Sequence, residues 1–261
     1  MKHILSTAAV LLLAGTTALH AQFNNPALDK HSDDVTFYVN FDEGPNAALS
    51  TGTGAPFRSQ GKVDYIKGLS GKALRVGQLF YRGDKNLDLS ASGTLIYWVA
   101  PEKEFKTKPA NGKEPGFIAT CFSGGKYTYS LFSGKMGGQP WQKAPLNSYV
   151  QYAHRLKIKH VNCLTETISF CKISEWNPGD WRMFAVTWAP GKISASYNGG
   201  AMTISTLKVP MTGTTDEIRL GFGKDPDPAQ MLLDEVIILK KAITEQEIKE
   251  IYDLSVKQLK K

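Results

Sequence analysis

Apolar and polar residues alternate with a two-residue period over DVTFYVNFDEG, residues 34–44. Val35, Phe37, Val39 and Phe41 interleave with Thr36, Tyr38 and Asn40. That period predicts a strand with one buried face. Similar short runs recur along the chain. They are KALRV (72–76), GTLIYWVAP (93–101), GFIATCF (116–122), YTYSLF (127–132) and SYVQYAHRLKIKH (148–160), followed by ETISFCKI (166–173), WRMFAVTW (181–188), KISASYN (192–198), MTIST (202–206), EIRLGFG (217–223) and LLDEVIIL (232–239). The run at 166–173 is expected to pair with the one at 148–160. Ala189-Pro190-Gly191 marks a tight turn. The Gly, Ser, Thr and Pro-rich stretch 44–62 and the charged stretch 102–116 are read as loops.

One helix is predicted, at the C-terminus. Thr244 with Glu247 forms a capping box, and Ile243 with Ile248 occupies the staple positions. Ile248, Ile251, Tyr252, Ser255 and Leu259 then share one helical face. Roughly a dozen short strands and a single helix, without internal repeat or linker, predict an all-β, two-sheet antiparallel sandwich.

Residues 1–21 are read separately. Lys2, an apolar run from Ile4 to Leu13, and small residues leading to Ala18-Leu19-His20-Ala21 follow the order of a secretory signal. The run is too short for a membrane span. Cleavage is expected after Ala21, with Ala18 as a rival site. Residues 22–33 are then an irregular arm and 34–261 one domain, in a protein that is secreted, periplasmic or displayed at the cell surface.

The formal net charge is +7, and loss of Lys2 with the leader leaves +6. In an exported protein this favours acidic polysaccharides or anionic surfaces over nucleic acid. Mild basicity also serves solubility alone. Cys121, Cys163 and Cys171 allow at most one internal disulfide, in one of three pairings.

Five segments resemble the laminin G-like branch of the concanavalin A-like lectin/glucanase superfamily. These are YVNFDEG (38–44), GLSGKALRVG (68–77), GTLIYWVAP (93–101), GDWRMFAVTWAPGKISASYNGG (179–200) and LLDEVIILKKAITEQEI (232–248). They occur in the family's order, while 102–178 departs from its pattern. The resemblance implies a jelly-roll sandwich with one short C-terminal helix, but no single function, since the fold hosts lectins, adhesion modules and glycanases. It also implies a structural Ca²⁺ near the first and last strands, for which Asp42 or Glu43 with Asp234 are candidates. The alternative is that Asp234 and Glu235 bind backbone at a strand start. Both readings stand.

Catalytic patterns are absent from the sequence. No Glu-x-Asp-x-x-Glu cluster occurs, and Asp42-Glu43 and Asp234-Glu235 are adjacent pairs that a strand directs to opposite faces. Gln151 and His154 are one residue too far apart for a lyase-like Gln-x-His element. For ligand binding, Trp141 and Trp176 lie in Gly/Pro-rich loops suited to stacking on sugars, whereas Trp98, Trp181 and Trp188 fit the core. Arg155, Lys157 and Lys159 form a basic stripe on one strand face, suited to sulfate or uronate. A lysine-protected edge strand would give the same pattern. The expected function is an exported, non-catalytic carbohydrate-binding or cell-surface recognition module. A glycan hydrolase or lyase with an unrecognised site, and a structural or protein-binding module, are the alternatives.

Overall fold

The computed structural model describes residues 26, 28–102, 121–123, 127–136, 147–156, 164–172, 177–206, 217–221 and 231–259. Their strands are β1 (Val35–Val39), β2 (Leu49–Ser50), β3 (Arg58–Lys67), β4 (Lys72–Arg82), β5 (Gly93–Pro101), β6 (Cys121–Ser123) and β7 (Tyr127–Met136). Further along the chain come β8 (Asn147–Leu156), β9 (Leu164–Lys172), β10 (Arg182–Ala189), β11 (Lys192–Tyr197), β12 (Thr203–Thr206), β13 (Glu217–Gly221) and β14 (Met231–Leu239), and the helix α1 spans Glu245–Leu259. All described pairings are antiparallel.

One ladder runs β12-β11-β10-β5-β14-β4-β13-β6, with β1 added to β14, β2 to β1, and β3 to β4. It curls over a single apolar cluster. Phe37, Leu95, Tyr97, Phe184, Val186 and Trp188 from one half meet Leu74, Leu79, Tyr81, Ile218 and Leu220 from the other. Two facing halves around one core make the all-β sandwich. A separate three-stranded sheet has the order β7-β8-β9, so the pairing expected between 148–160 and 166–173 is present.

A second cluster lies on the opposite face of the same strands. Tyr38, Ile96, Trp98, Met183, Ala185 and Ile237 are covered by Ile243, Ile248 and Ile251 of the helix segment and by Leu28. Trp98 stacks on Tyr252 with ring centroids 5.8 Å apart. All of β1 and β5 is therefore buried, not one face only. The alternation in β1 is incomplete because Tyr38 needs an apolar environment on the helix side.

The capping box forms as the sequence predicts. Thr244 N–H donates to Glu247 Oε2 at 2.6 Å, and Glu247 N–H donates to Thr244 Oγ1 at 3.2 Å. Within the expected arm, Leu28–Asp34 winds as a 3-10 helix with Leu28 and His31 buried, and Lys30 forms an ion pair with Glu250 of α1.

Two further differences shape the surface. The stretch 44–62 is not all loop: it contains β2 and the first half of β3. Lys72–Arg82 is a full eleven-residue strand where five were expected. In addition, β8 is not an edge strand, because β7 and β9 flank it.

Candidate functional site

Two of the carboxylates expected to hold a metal, Asp42 and Asp234, converge on one turn. Gly68–Lys72 closes the β3–β4 hairpin, with Gly68 N–H donating to Gly71 C=O at 2.9 Å. Asp234 reaches it from β14, its Oδ2 accepting from Leu69 N–H at 2.9 Å and Ser70 N–H at 3.4 Å. Asp42 reaches it from the end of β1, its Oδ1 accepting from Lys72 N–H at 2.8 Å. The Lys72 ammonium donates to the Asp42 carbonyl at 3.0 Å.

Gly71 sits at φ +63°, and a Cβ there would fall 1.8 Å from Asp42 Oδ1. The turn thus needs glycine for both its backbone and its clamp. Asp234 is fully buried and Glu43 is exposed. Burial and the neighbouring Glu235 charge push the Asp234 carboxyl well up, against the pull of the Glu235, Ser70 and Leu69 N–H groups. Glu235 takes a left-handed backbone, φ +50°, and accepts from Tyr38 O–H at 2.8 Å. Asp234 and Glu235 therefore both hold the fold together. Among the described residues no three His, Cys, Asp or Glu side chains gather around one point.

The other sequence candidates are placed as follows. Arg155 lies on β8 opposite Thr128 of β7. Gln151 and His154 are three positions apart along an unbroken register. Trp141, Trp176, Lys157, Lys159 and Cys163 lie outside the described residues. Trp98 and Trp188 are buried, and Trp181 packs against the helix-side cluster.

A groove that the sequence did not single out opens beside the hairpin. It has a volume of about 460 Å³ and lies between Pro45, Pro56 and Phe57 on one side and Arg58, Ser59, Val63 and Tyr65 of β3 on the other. Leu79 also lines it. The loop wall is held from behind. Asn86 is fully buried. It accepts from Gly52 N–H at 2.9 Å and donates to Thr53 C=O at 3.0 Å. Tyr81 O–H donates to Pro45 C=O at 2.6 Å.

Phe57 stands at this groove with 43% of its surface exposed, and its only described companion of that kind, Ile204, is on β12. The Arg82 guanidinium lies over its ring, 4.3 Å from the centroid. The Tyr65 hydroxyl is buried without a hydrogen-bond partner among the described residues. Burial raises its pKa, and burial followed by the nearby Tyr65 raises that of Tyr81. An apolar trough with a few polar groups is the usual make-up of a small-ligand site.

No protein-family model matches the sequence, and a search of curated proteins finds no match. Solved structures do match. Domain 4 of AbnA, a GH43 extracellular arabinanase from Geobacillus stearothermophilus, was solved in complex with arabinotriose. It aligns with TM-score 0.55 at 18% identity, over 84% of this chain and 98% of that domain. The binding domain of Paraclostridial Mosquitocidal Protein 1 aligns with TM-score 0.55 at 13% identity, over 84% of this chain and 52% of that one. The binding domain of botulinum neurotoxin DC, in complex with SialylT, gives 0.54 and 13%, over 85% and 51%. The chain spans nearly all of the arabinanase domain and about half of the toxin binding domains. At these identities the likeness establishes the β-sandwich fold.

Proposed function

We propose that this chain is an exported, non-catalytic carbohydrate-binding module of the laminin G-like type, taking a saccharide in the groove between Pro45–Phe57 and β3. The observation that carries the reading is the exposed Phe57 ring on a cleft that also contains Tyr65 and Ser59. A sugar places its C–H face on an aromatic ring while its hydroxyls seek polar partners, and this cleft offers both. The arabinanase domain, nearly all of which this chain matches, was solved with arabinotriose, which supports the choice of ligand class.

The excess of basic residues over the whole chain favours an acidic polymer. Trp141 and Trp176 are further candidates for sugar stacking, and Arg155, Lys157 and Lys159 for ionic contact, as their residue types suggest. Calcium enters as a scaffold ion held by Asp42 or Glu43 with Asp234. The N–H groups on Asp42 Oδ1 and Asp234 Oδ2 would compete with it.

Affinity electrophoresis through gels of arabinan, polygalacturonate or heparin tests the reading. Retardation that Phe57→Ala abolishes supports it. Retardation in no gel, or retardation untouched by Phe57→Ala, refutes the groove as the site.

A further inference from the structure

The outer face of β3, β4 and β13 carries a rack of guanidinium groups. Phe80, on β4, is opposite Arg58 of β3 on one side and Arg219 of β13 on the other. The two arginines roof its buried ring, their guanidinium carbons 3.7 and 5.0 Å from the centroid. Arg82, two residues along β4, faces Glu217 of β13 and rests over Phe57.

Among the described residues the rack holds one acid against these three cations. Glu217 accepts from Arg219 Nη2 at 3.1 Å and from Arg58 Nη2 at 3.5 Å. The second contact is long beside the 2.7–2.9 Å or so of a good charge-assisted bond. Arg219 Nε is buried and has no acceptor among the described residues. Stacking on aromatic rings fixes the direction of each fork, so little side-chain freedom is lost when an oxyanion arrives.

We infer that Arg58, Arg82 and Arg219 form an oxyanion subsite that reads the sulfate ester or carboxylate of an acidic polysaccharide, with Glu217 as the internal counter-ion that the ligand displaces. The inference rests on the groove being the saccharide site, because Arg58 and Phe57 belong to both. Glu217 then sets selectivity. While it occupies the rack, neutral glycans lose nothing and weak anions compete poorly. A polymer with closely spaced anionic groups outcompetes it.

The test titrates the full chain with heparin, with polygalacturonate and with linear arabino-oligosaccharides by calorimetry at two salt concentrations. For the acidic polymers, Arg58→Gln with Arg219→Gln is expected to lower affinity about tenfold or more and to flatten the salt dependence. Glu217→Gln is expected to raise it several-fold. Preference for heparin over polygalacturonate identifies sulfate as the group read, and the reverse identifies carboxylate. Neutral oligosaccharide binding should survive in Glu217→Gln and in Arg219→Gln alone, neither of which lines the groove, and fail in Phe57→Ala, which separates failure of the subsite from failure of the groove. Acidic-polymer affinity unchanged in the double variant, with its unfolding temperature retained, overturns the inference. So does a loss of affinity in Glu217→Gln.

Discussion

Replacing Tyr65 with Phe removes one oxygen atom, and the structure fixes the sign of the effect. The hydroxyl is shielded from solvent and has no partner among the described residues. Burying such a group without a hydrogen bond costs about 1–3 kcal/mol. The void left by a single oxygen is smaller than a methyl group and costs less than about 1 kcal/mol. The variant should therefore be more stable by about 1 kcal/mol, which raises Tm by about 2–4 °C in a domain of this size. Differential scanning calorimetry at neutral pH measures the shift directly. Because the shielded hydroxyl is out of a ligand's reach, the same variant should leave saccharide affinity unchanged. A lowered Tm would show that the hydroxyl has a partner after all and would refute the stability argument. A raised Tm with weakened affinity would show that the hydroxyl becomes accessible to the ligand and would refute the burial on which the argument rests.

Gly71→Ala should destabilise by about 2–3 kcal/mol in urea titration, because its Cβ collides with Asp42 Oδ1 at φ +63°. Gly44→Ala, at φ +107° with nothing within 4 Å, should cost only the backbone penalty of about 1–2 kcal/mol. Equal losses in the two would refute the clamp. Thr244→Ala should cost about 1 kcal/mol and change the acid limb of the stability profile. Burial alone would raise the Glu247 carboxyl, but the Thr244 N–H and hydroxyl and the Lys241 ammonium outweigh it and hold the pKa at about 2. The depressed carboxyl contributes stability that is present above the ordinary carboxylate range and lost as pH falls toward 2. In Thr244→Ala the part of that acid slope owed to the hydroxyl should vanish, while the part owed to the N–H, which alanine keeps, should remain; an unaltered slope would contradict the capping role of the hydroxyl. Calcium should raise Tm and chelation lower it, with Glu43→Gln abolishing the difference, if an ion sits beside Asp42. A Tm indifferent to calcium would sink that reading.

How far the fold could be read from the chain depended on whether a strand's burial leaves a periodic trace. β5 coincides with the predicted 93–101, because a continuous apolar run closed by Pro101 has few other readings. The capping box at Thr244 and Glu247 is local chemistry and needs no tertiary contact to be seen. β3 left no such trace. Its sequence, RSQGKVDYIK, is polar, and its pairing with β4 slips between Gln60 and Tyr65. Each slip disturbs the two-residue period, and the strand reads as loop. The groove was lost with it, since Arg58, Ser59, Val63 and Tyr65 are all on β3. Phe57 beside Pro56 was the one available signal. The nearness of Asp42 and Asp234 to each other was readable as a family expectation. Their shared target, the 68–72 turn, was not, because a carboxylate that accepts backbone N–H groups leaves no mark on spacing. The arginine rack is likewise a product of register: Arg58, Phe80 and Arg219 are aligned by ladders that join positions 22 and 139 residues apart.

The position of β14 bears on how this chain comes to fold. It is the last strand along the chain, yet in space it lies against β5, β4 and β1, with Val39 opposite Val236. Pairings across some 200 residues carry a large loop-closure entropy and make folding slow. A nascent chain that has not yet reached Met231 lacks the middle of its sheet rather than an edge. Every earlier strand that borders β14 must wait with an open hydrogen-bonding flank, exposed to proteases and to pairing with other chains. Closure is a single late event, and a truncation before Met231 should yield material that is degraded or aggregated instead of a smaller sandwich.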